Sequence, residues 1–263
     1  MKTGIETSID PRAVVMPGAE LDHGVVVGSH AVIGPRVRIG SGSRIGPNTV
    51  IMGITIMGTD NQVLPFSSLG GDPQDLKYRG EDTEVIIGNG NVFGECCTVH
   101  RGTTTGRGLT RIGDNNVFMA CAHVAHDSTV GCGVRFESGA NPGGHVDVED
   151  GAHLGSFSSV HPFCRIGKLA SLERGCIVVK DIPPFCAARG DRAELVGLNV
   201  AGLKEARYSG KSISSLQDAF DTIFRKGLLL NDALARIRSS GDATPEVEHL
   251  MEFLLSGRRG FAR

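Results

Sequence analysis

Tryptophan is absent and aromatic residues of every kind make up 5% of the chain. A conventional globular core in a chain of 263 residues draws on more large rings. No apolar run approaches the roughly 18 residues of a membrane span, and Met1 to Ile9 lack a basic-then-apolar leader pattern. Neither sign of charge dominates: the formal net charge is −2. That balance excludes a general polyanion binder and gives no reason to expect nucleic acid or a membrane surface as partner. The seven cysteines are an odd number and contain no C-x-x-C pair. A disulfide framework and a zinc knuckle are both disfavoured, and reduced thiols in a cytoplasmic protein are expected.

What the chain does have is glycine, 37 residues of it, and a repeat. Every sixth residue from Ile9 is aliphatic through Val15, Leu21, Val27, Ile33, Ile39, Ile45, Ile51, Met57, Val63 and Leu69. Gly or Asp often follows, and a small or β-branched residue recurs four positions on. The phase continues at Ile87, Phe93 and Val99, restarts one residue out of step at Ile112, and runs to Val178 with Pro142 as its one break. An α-helix cannot hold a period of six on one face for so long, and a flat strand alternates with period two. Hexads suit a solenoid in which three short strands and three turns close a triangular coil of about 18 residues, stacked at roughly 4.8 Å.

Two segments interrupt the hexads. Residues 72–83 are polar, and residues 101–111 are rich in Gly, Thr and Arg. A solenoid ejects such insertions as loops, which often carry function. The pattern ends at Asp181-Ile182-Pro183-Pro184, and from about Ala193 the spacing turns helical. Ser212 to Lys226 carries an apolar stripe, and Thr244-Pro245 reads as an N-cap followed by Pro at the first helical position. The expected class is therefore mainly β: a parallel β-helix of hexapeptide repeats over 1–188, with a small C-terminal α-helical domain over 189–263.

Histidines concentrate late in the solenoid. Adding one coil to His126 gives Gly144, beside His145, and a second coil gives Pro162, beside His161. The phase predicts that these groups stack on neighbouring coils. A neutral imidazole can take a proton from a hydroxyl near pH 7. Asp127 could orient that ring, and the backbone N–H of Gly144 could approach a developing oxyanion. The same residues, His123 and His126 with His145 or His161, admit a metal-site reading of the γ-class carbonic anhydrase type. A structural solenoid without chemistry would leave the aligned histidines without purpose.

Several motifs together resemble a known family. They are Gln74-Asp75-Leu76-Lys77-Tyr78, Val99-His100-Arg101-Gly102-Thr103, Ala122-His123-Val124-Ala125-His126-Asp127, Gly143-Gly144-His145-Val146, Val160-His161-Pro162-Phe163-Cys164 and Asn199-Val200-Ala201-Gly202-Leu203-Lys204. The combination is similar to the UDP-N-acetylglucosamine 3-O-acyltransferases, the first enzymes of lipid A biosynthesis. The likeness runs over nearly the whole chain. It implies a left-handed winding, a homotrimer with clefts between solenoids, acyl carrier protein as donor, a UDP-amino-sugar as acceptor, and no metal or soluble cofactor. By that resemblance His126 is the general base, Asp127 its carboxylate partner and the Gly144 N–H the oxyanion donor. His123, His145 and His161 contact substrate. Gln74, Asp75 and Lys77 belong to a loop reaching the nucleotide sugar from a neighbouring subunit, and Asn199 and Arg207 to the nucleotide end.

The chain departs from the family pattern at Ala201, at Glu205 and Ala206 before Arg207, at Pro162 after the third histidine, and around Glu173-Arg174, where some members limit acyl length with a small residue. Relatives that acylate a 3-amino sugar share the pattern. The N-acyltransferase of the same pathway carries an additional N-terminal domain, whereas hexads start here by Ile9. A CoA-dependent acetyltransferase would not need the late basic residues Arg165, Lys168 and Arg174, which a carrier protein would.

Overall fold

The computed structural model describes residues 6–241 and 243–263, so the first five residues of the expected solenoid lie outside the described part. From Ser8 to Val178 the chain runs through strands of two to four residues, paired in parallel with strands one coil away. One column shows the register: Val27, Ile45, Val63, Phe93, Phe118, Phe136, Leu154 and Leu172 are successive partners. These are hexad aliphatics and aromatics, and each is buried. The coils close a triangular, left-handed prism.

The first face of the prism begins at Ser8–Ile9 and is an 11-stranded sheet. The second runs from Val14–Val15 to His123–Val124, and the third from Glu20–Leu21 to Arg165–Ile166. Beyond His123–Val124 the second face continues as a separate three-stranded ladder starting at Asn141–Pro142. Pro142 keeps the buried inward position that the hexads assign. It has no N–H to donate to the preceding coil, so the ladder is interrupted there.

The interior is a set of like-on-like stacks. Phe93 and Phe118 stack with ring centroids 4.8 Å apart, and Phe118 and Phe136 follow at 5.0 Å. A polar column runs beside them: Asn91 Nδ2 donates to Asn61 Oδ1 at 3.0 Å, the Asn116 N–H to Asn91 Oδ1 at 2.9 Å and the Val134 N–H to Asn116 Oδ1 at 2.7 Å. Replacing Phe136 by Ala would leave a ring-sized void between Phe118 and Leu154. The expected loss is about 3–5 kcal/mol, read as a lower denaturant midpoint at unchanged slope.

Coil corners place residues in the left-handed region, among them Asp127 (φ 59), His145 (φ 61) and Phe163 (φ 67). These three are tips of one corner, between the second and third faces, on consecutive coils. Asp and His tolerate this conformation better than most side chains, whereas a phenylalanine there is unusual.

The change to helix comes later than the sequence spacing predicts. Cys186–Arg189 adds to the first face, and Glu194–Leu198 pairs with it antiparallel. Helices follow as α1 (Val200–Glu205), α2 (Gly210–Phe220), α3 (Leu230–Ser240) and α4 (Pro245–Ser256). The stripe expected to run on to Lys226 leaves α2 at Phe220, and a wider π-type turn takes Asp221–Arg225. Pro245 stands in the first turn of α4 as expected, but the Thr244 hydroxyl makes no capping bond and is buried without a partner among the described residues.

The helices pack on the late coils around Phe185, Leu203, Leu216 and Leu250. His249 Nε2 lies 2.8 Å from Glu149 Oε2, tying α4 to the third face. Arg165 makes a second tie: its Nε donates to Asp181 at 2.8 Å, its Nη2 to the Phe253 carbonyl at 2.8 Å, and its guanidinium lies over the Phe253 ring. Arg165 is thus committed to packing and is not free to meet a carrier protein.

Candidate active site

The corner that carries Asp127, His145 and Phe163 holds the cluster of ionisable groups. His126 precedes the Asp127 tip, and its Nδ1 lies 2.8 Å from Asp127 Oδ2. The Asp127 side chain is fully buried, while the His126 ring is 14% exposed. His145, one coil on, crosses the His126 ring edge to face at 5.2 Å, with its Nε2 3.8 Å from Asp127 Oδ2. Its other face stacks on Phe163 at 4.4 Å. Gly144 lies directly against the His126 ring: a Cβ built there would stand 2.6 Å from His126 Cε1 and 2.7 Å from Nε2. Only a residue without a side chain allows that approach. The Gly144 N–H has no acceptor among the described residues.

Hydrogen bonding decides the charge on Asp127. Burial alone raises a carboxyl's pKa. The bonds from His126, from Thr103 and from the Arg107 N–H outweigh it and hold Asp127 well below the usual carboxylate range. The Thr103 N–H reaches Oδ1 at 3.0 Å and Oδ2 at 3.1 Å, the Thr103 hydroxyl reaches Oδ2 at 2.7 Å, and the Arg107 N–H reaches Oδ1 at 2.7 Å. An anionic Asp127 keeps the proton of a neutral His126 on Nδ1, leaving the Nε2 lone pair free beside Gly144.

Ligand atoms of His126, Asp127 and His145 all lie within 4.8 Å of one another, close enough for a metal ion. Both Asp127 oxygens, however, already accept at least two hydrogen bonds each. The metal-site reading also needed His123, whose Nδ1 instead lies 2.7 Å from Thr98 Oγ1. Burial first, then the nearby His100 and His126, push the His123 pKa down to about 4. His123 is neutral near pH 7, as is His145, which burial also lowers.

His161 does not join the cluster. It is exposed, and its Nδ1 faces its own Pro162 carbonyl at 3.1 Å. Coil spacing aligns it with Gly143 and Ala125 rather than His126, and Phe163 occupies the place the sequence reading gave it. The insertion at 101–111 is also shorter than expected, since Leu109–Ile112 is a strand. Residues 104–107 are exposed, yet the turn closes over the corner so that buried Thr103 and the Arg107 N–H supply donors to Asp127. The sequence reading missed Thr103, Gly106 and Arg107, although the glycines of Arg101-Gly102-Thr103-Thr104-Thr105-Gly106-Arg107-Gly108 signal a loop that approaches something closely.

The other insertion sits beside this one. Asp75, Lys77, Tyr78 and Glu81 share a small cleft with Thr103–Thr105 of the same chain. Arg101, nearly buried, braces the loop through the Gly70 carbonyl at 2.9 Å and the Tyr78 hydroxyl at 2.7 Å. The Asp75 carboxylate accepts the Lys77 N–H at 2.8 Å, and Gln74 and Lys77 are exposed. Asn199 and Arg207 are not brought to His126. Asn199 caps α1 through Gly202, and with Arg135, His153, Ala201 and Glu205 it lines a cavity of about 560 Å³ at the corner between the third and first faces. Arg207 is exposed just past the end of α1.

A hexapeptide prism with a buried carboxylate, an adjoining imidazole and a glycine N–H at one corner is the framework of an acyltransferase of the hexapeptide-repeat class. Comparison with known proteins narrows this. Residues 181–262 match the family described as UDP-N-acetylglucosamine O-acyltransferase, domain 2. The acyl-[acyl-carrier-protein]–UDP-N-acetylglucosamine O-acyltransferase of Alkalilimnicola ehrlichii is 47% identical, over 98% of this chain and 100% of its own. That of Myxococcus xanthus is 46% identical, over 97% and 99%. Among solved structures, LpxA from Acinetobacter baumannii superposes with a TM-score of 0.94 at 35% identity, over 97% of this chain and 99% of that one. The Francisella novicida UDP-N-acetylglucosamine acyltransferase also gives 0.94, at 31% identity over 97% and 94%. The chain belongs to the family of acyl-[acyl-carrier-protein]–UDP-N-acetylglucosamine O-acyltransferases.

Proposed function

We infer that this protein transfers a fatty acyl group, 3-hydroxylated in our reading, from acyl carrier protein to the 3-position of UDP-N-acetylglucosamine, the first step of lipid A biosynthesis. The observation that carries the mechanism is the His126–Asp127 pair with Gly144 packed on the imidazole. His126 Nε2 takes the proton of the sugar 3-hydroxyl as its oxygen attacks the thioester carbonyl. The carbonyl electrons move onto oxygen, where the Gly144 N–H donates to the oxyanion. Collapse breaks the C–S bond, and the imidazolium returns its proton to the departing carrier thiolate. Asp127 stays ionised throughout and balances the imidazolium charge. His123 and His145, both neutral, bind and orient the sugar with Gln74, Asp75 and Lys77.

Asn199 and Arg207 lie at another corner of their own protomer. One nucleotide sugar can meet them and His126 together only where two protomers adjoin, which supports a homotrimer with sites in its clefts. Residues 1–188 then supply the chemistry, and 189–263 the nucleotide end. No helix among the described residues is long and apolar enough to cross a membrane. We place the enzyme in the cytoplasm, where carrier-bound acyl groups are made.

The test is transfer from acyl carrier protein thioesters of several chain lengths to UDP-N-acetylglucosamine and to its 3-amino analogue, with CoA thioesters as control. Preference for CoA, or for the amine, would overturn the donor or the acceptor. Gly144→Ala is expected to lower turnover about 10²-fold in this assay without altering the fold. Its methyl would displace the His126 ring as well as crowd the oxyanion.

A further inference from the structure

We propose that Thr103 is a positioning residue for acyl transfer, its backbone N–H and its hydroxyl together fixing the Asp127 carboxylate in the orientation that meets Nδ1 of His126. This rests on the reading of His126 and Asp127 as base and partner. Thr103 is 3% exposed and contributes its donors from an insertion, not from the coil that carries the pair. Its N–H is shared between both carboxylate oxygens, which sets the plane of the carboxylate. Its hydroxyl, at 2.7 Å, bonds Oδ2, the oxygen that also meets His126 at 2.8 Å.

The loop is built to hold that residue still. The Gly106 and Gly108 N–H groups both donate to the Thr103 carbonyl, at 3.0 and 2.9 Å. Gly106 lies so close that a Cβ there would stand 2.5 Å from the Asp127 carboxyl carbon, so the turn closes over the anion only with glycine at that point. At the far end the Arg107 guanidinium clasps Asp147 (Nη2 to Oδ2 2.8 Å) and Thr129 (2.7 Å), pinning the loop to two coils of the third face. A hydroxyl that merely satisfied its own burial would need one acceptor of any kind. This one is aimed at the oxygen that orients the base.

Two variants separate the hydroxyl from the shape. Thr103→Val keeps the branched side chain and the backbone N–H but removes the O–H. Thr103→Ser keeps the O–H and removes the methyl. The Val variant is expected to lose about tenfold in kcat, with KM for both substrates unchanged, because the lost bond acts on the base and not on bound substrate. The Ser variant should recover most of that loss. The second readout is the titration of the His126 ring by NMR in the free protein. His126 faces Asp127 on its own coil and His145 on the next, with His100 and His123 acting from the preceding strands and Arg107 through Asp127. Without the hydroxyl the carboxylate can swing away from Nδ1 and supports the imidazolium less, so the ring should titrate at lower pH than in the wild type.

A Val variant with wild-type kcat, a Ser variant as slow as Val, or an unmoved titration would each overturn the role of Thr103. The titration does not depend on turnover. A wild-type protein that transfers no acyl group therefore removes the functional reading without touching the hold of Thr103 on the pair.

Discussion

Replacing His126 by Ala is expected to slow acyl transfer by about 10²- to 10⁴-fold while the protein stays folded. The two halves of that expectation come from different parts of the structure. The ring lies at a corner, partly exposed, and outside the stacked interior, so its loss leaves the coil columns intact. Asp127 keeps its bonds to Thr103 and Arg107 when the imidazole is gone, so no unpaired buried charge is created. The chemistry has no such reserve. His123 is the nearest alternative in sequence, but its Nδ1 is engaged by Thr98, and a pKa near 4 makes it a poor proton acceptor at neutral pH. His145 meets Asp127 only at 3.8 Å and is clamped against Phe163. Turnover with a saturating carrier thioester, beside far-UV dichroism and the oligomeric state, checks both halves. Wild-type turnover in the variant would remove His126 as the base.

How much of this was legible in the residues follows from the range of the interactions involved. The hexads are a local, repeated constraint, so the column from Val27 to Leu172 could be read from spacing alone. That same spacing placed Asp127, Gly144 and His145 at one corner, because each coil advances by a fixed number of residues. A corner nevertheless turns a side chain through a large angle per residue, and an offset of one position was enough to send His161 to solvent and put Phe163 against His145. The insertions have no repeat to fix them. Whether Thr103 and Arg107 point out or fold back onto Asp127 depends on turns closed by Gly106 and Gly108, which the sequence shows only as glycines. Arg165 and Arg174 read as basic residues for a carrier protein for the same reason. Asp181 and Phe253, the partners that claim Arg165, are set by packing between distant segments, while Arg174 stays exposed with the Phe157 ring beside it. The corner that holds Asn199 follows from the antiparallel strand Glu194–Leu198, which delays the first helix and whose residues had read as the start of the helical spacing.

Asp127→Ala should be more damaging to stability than the loss of the base itself. The carboxylate is fully buried and is the common acceptor of the Thr103 N–H, the Thr103 hydroxyl, the Arg107 N–H and His126. Removing it orphans those donors at once, at an expected cost of about 3 kcal/mol or more, seen as a lower denaturant midpoint. The same argument fixes a pH dependence. The folded carboxyl titrates below its ordinary value of 3.8, so the unfolded chain binds the proton more readily. The stability it contributes is fully present above that unfolded value and drains away as pH falls through the folded one. Asp127→Asn removes this contribution, so its unfolding free energy should fall less steeply than the wild type's below about pH 4. Its amide can also turn an N–H₂ toward Nδ1, which favours the His126 tautomer with the proton on Nε2 and leaves no lone pair for the sugar hydroxyl. Turnover should then fall by two or more orders of magnitude, on the order of 10²-fold at least, with substrate binding little changed. If Asp127→Asn instead matched the wild type in both acid stability and kcat, the carboxylate would be neither the anchor of the loop nor the partner of the base, and the corner would have to work through His145.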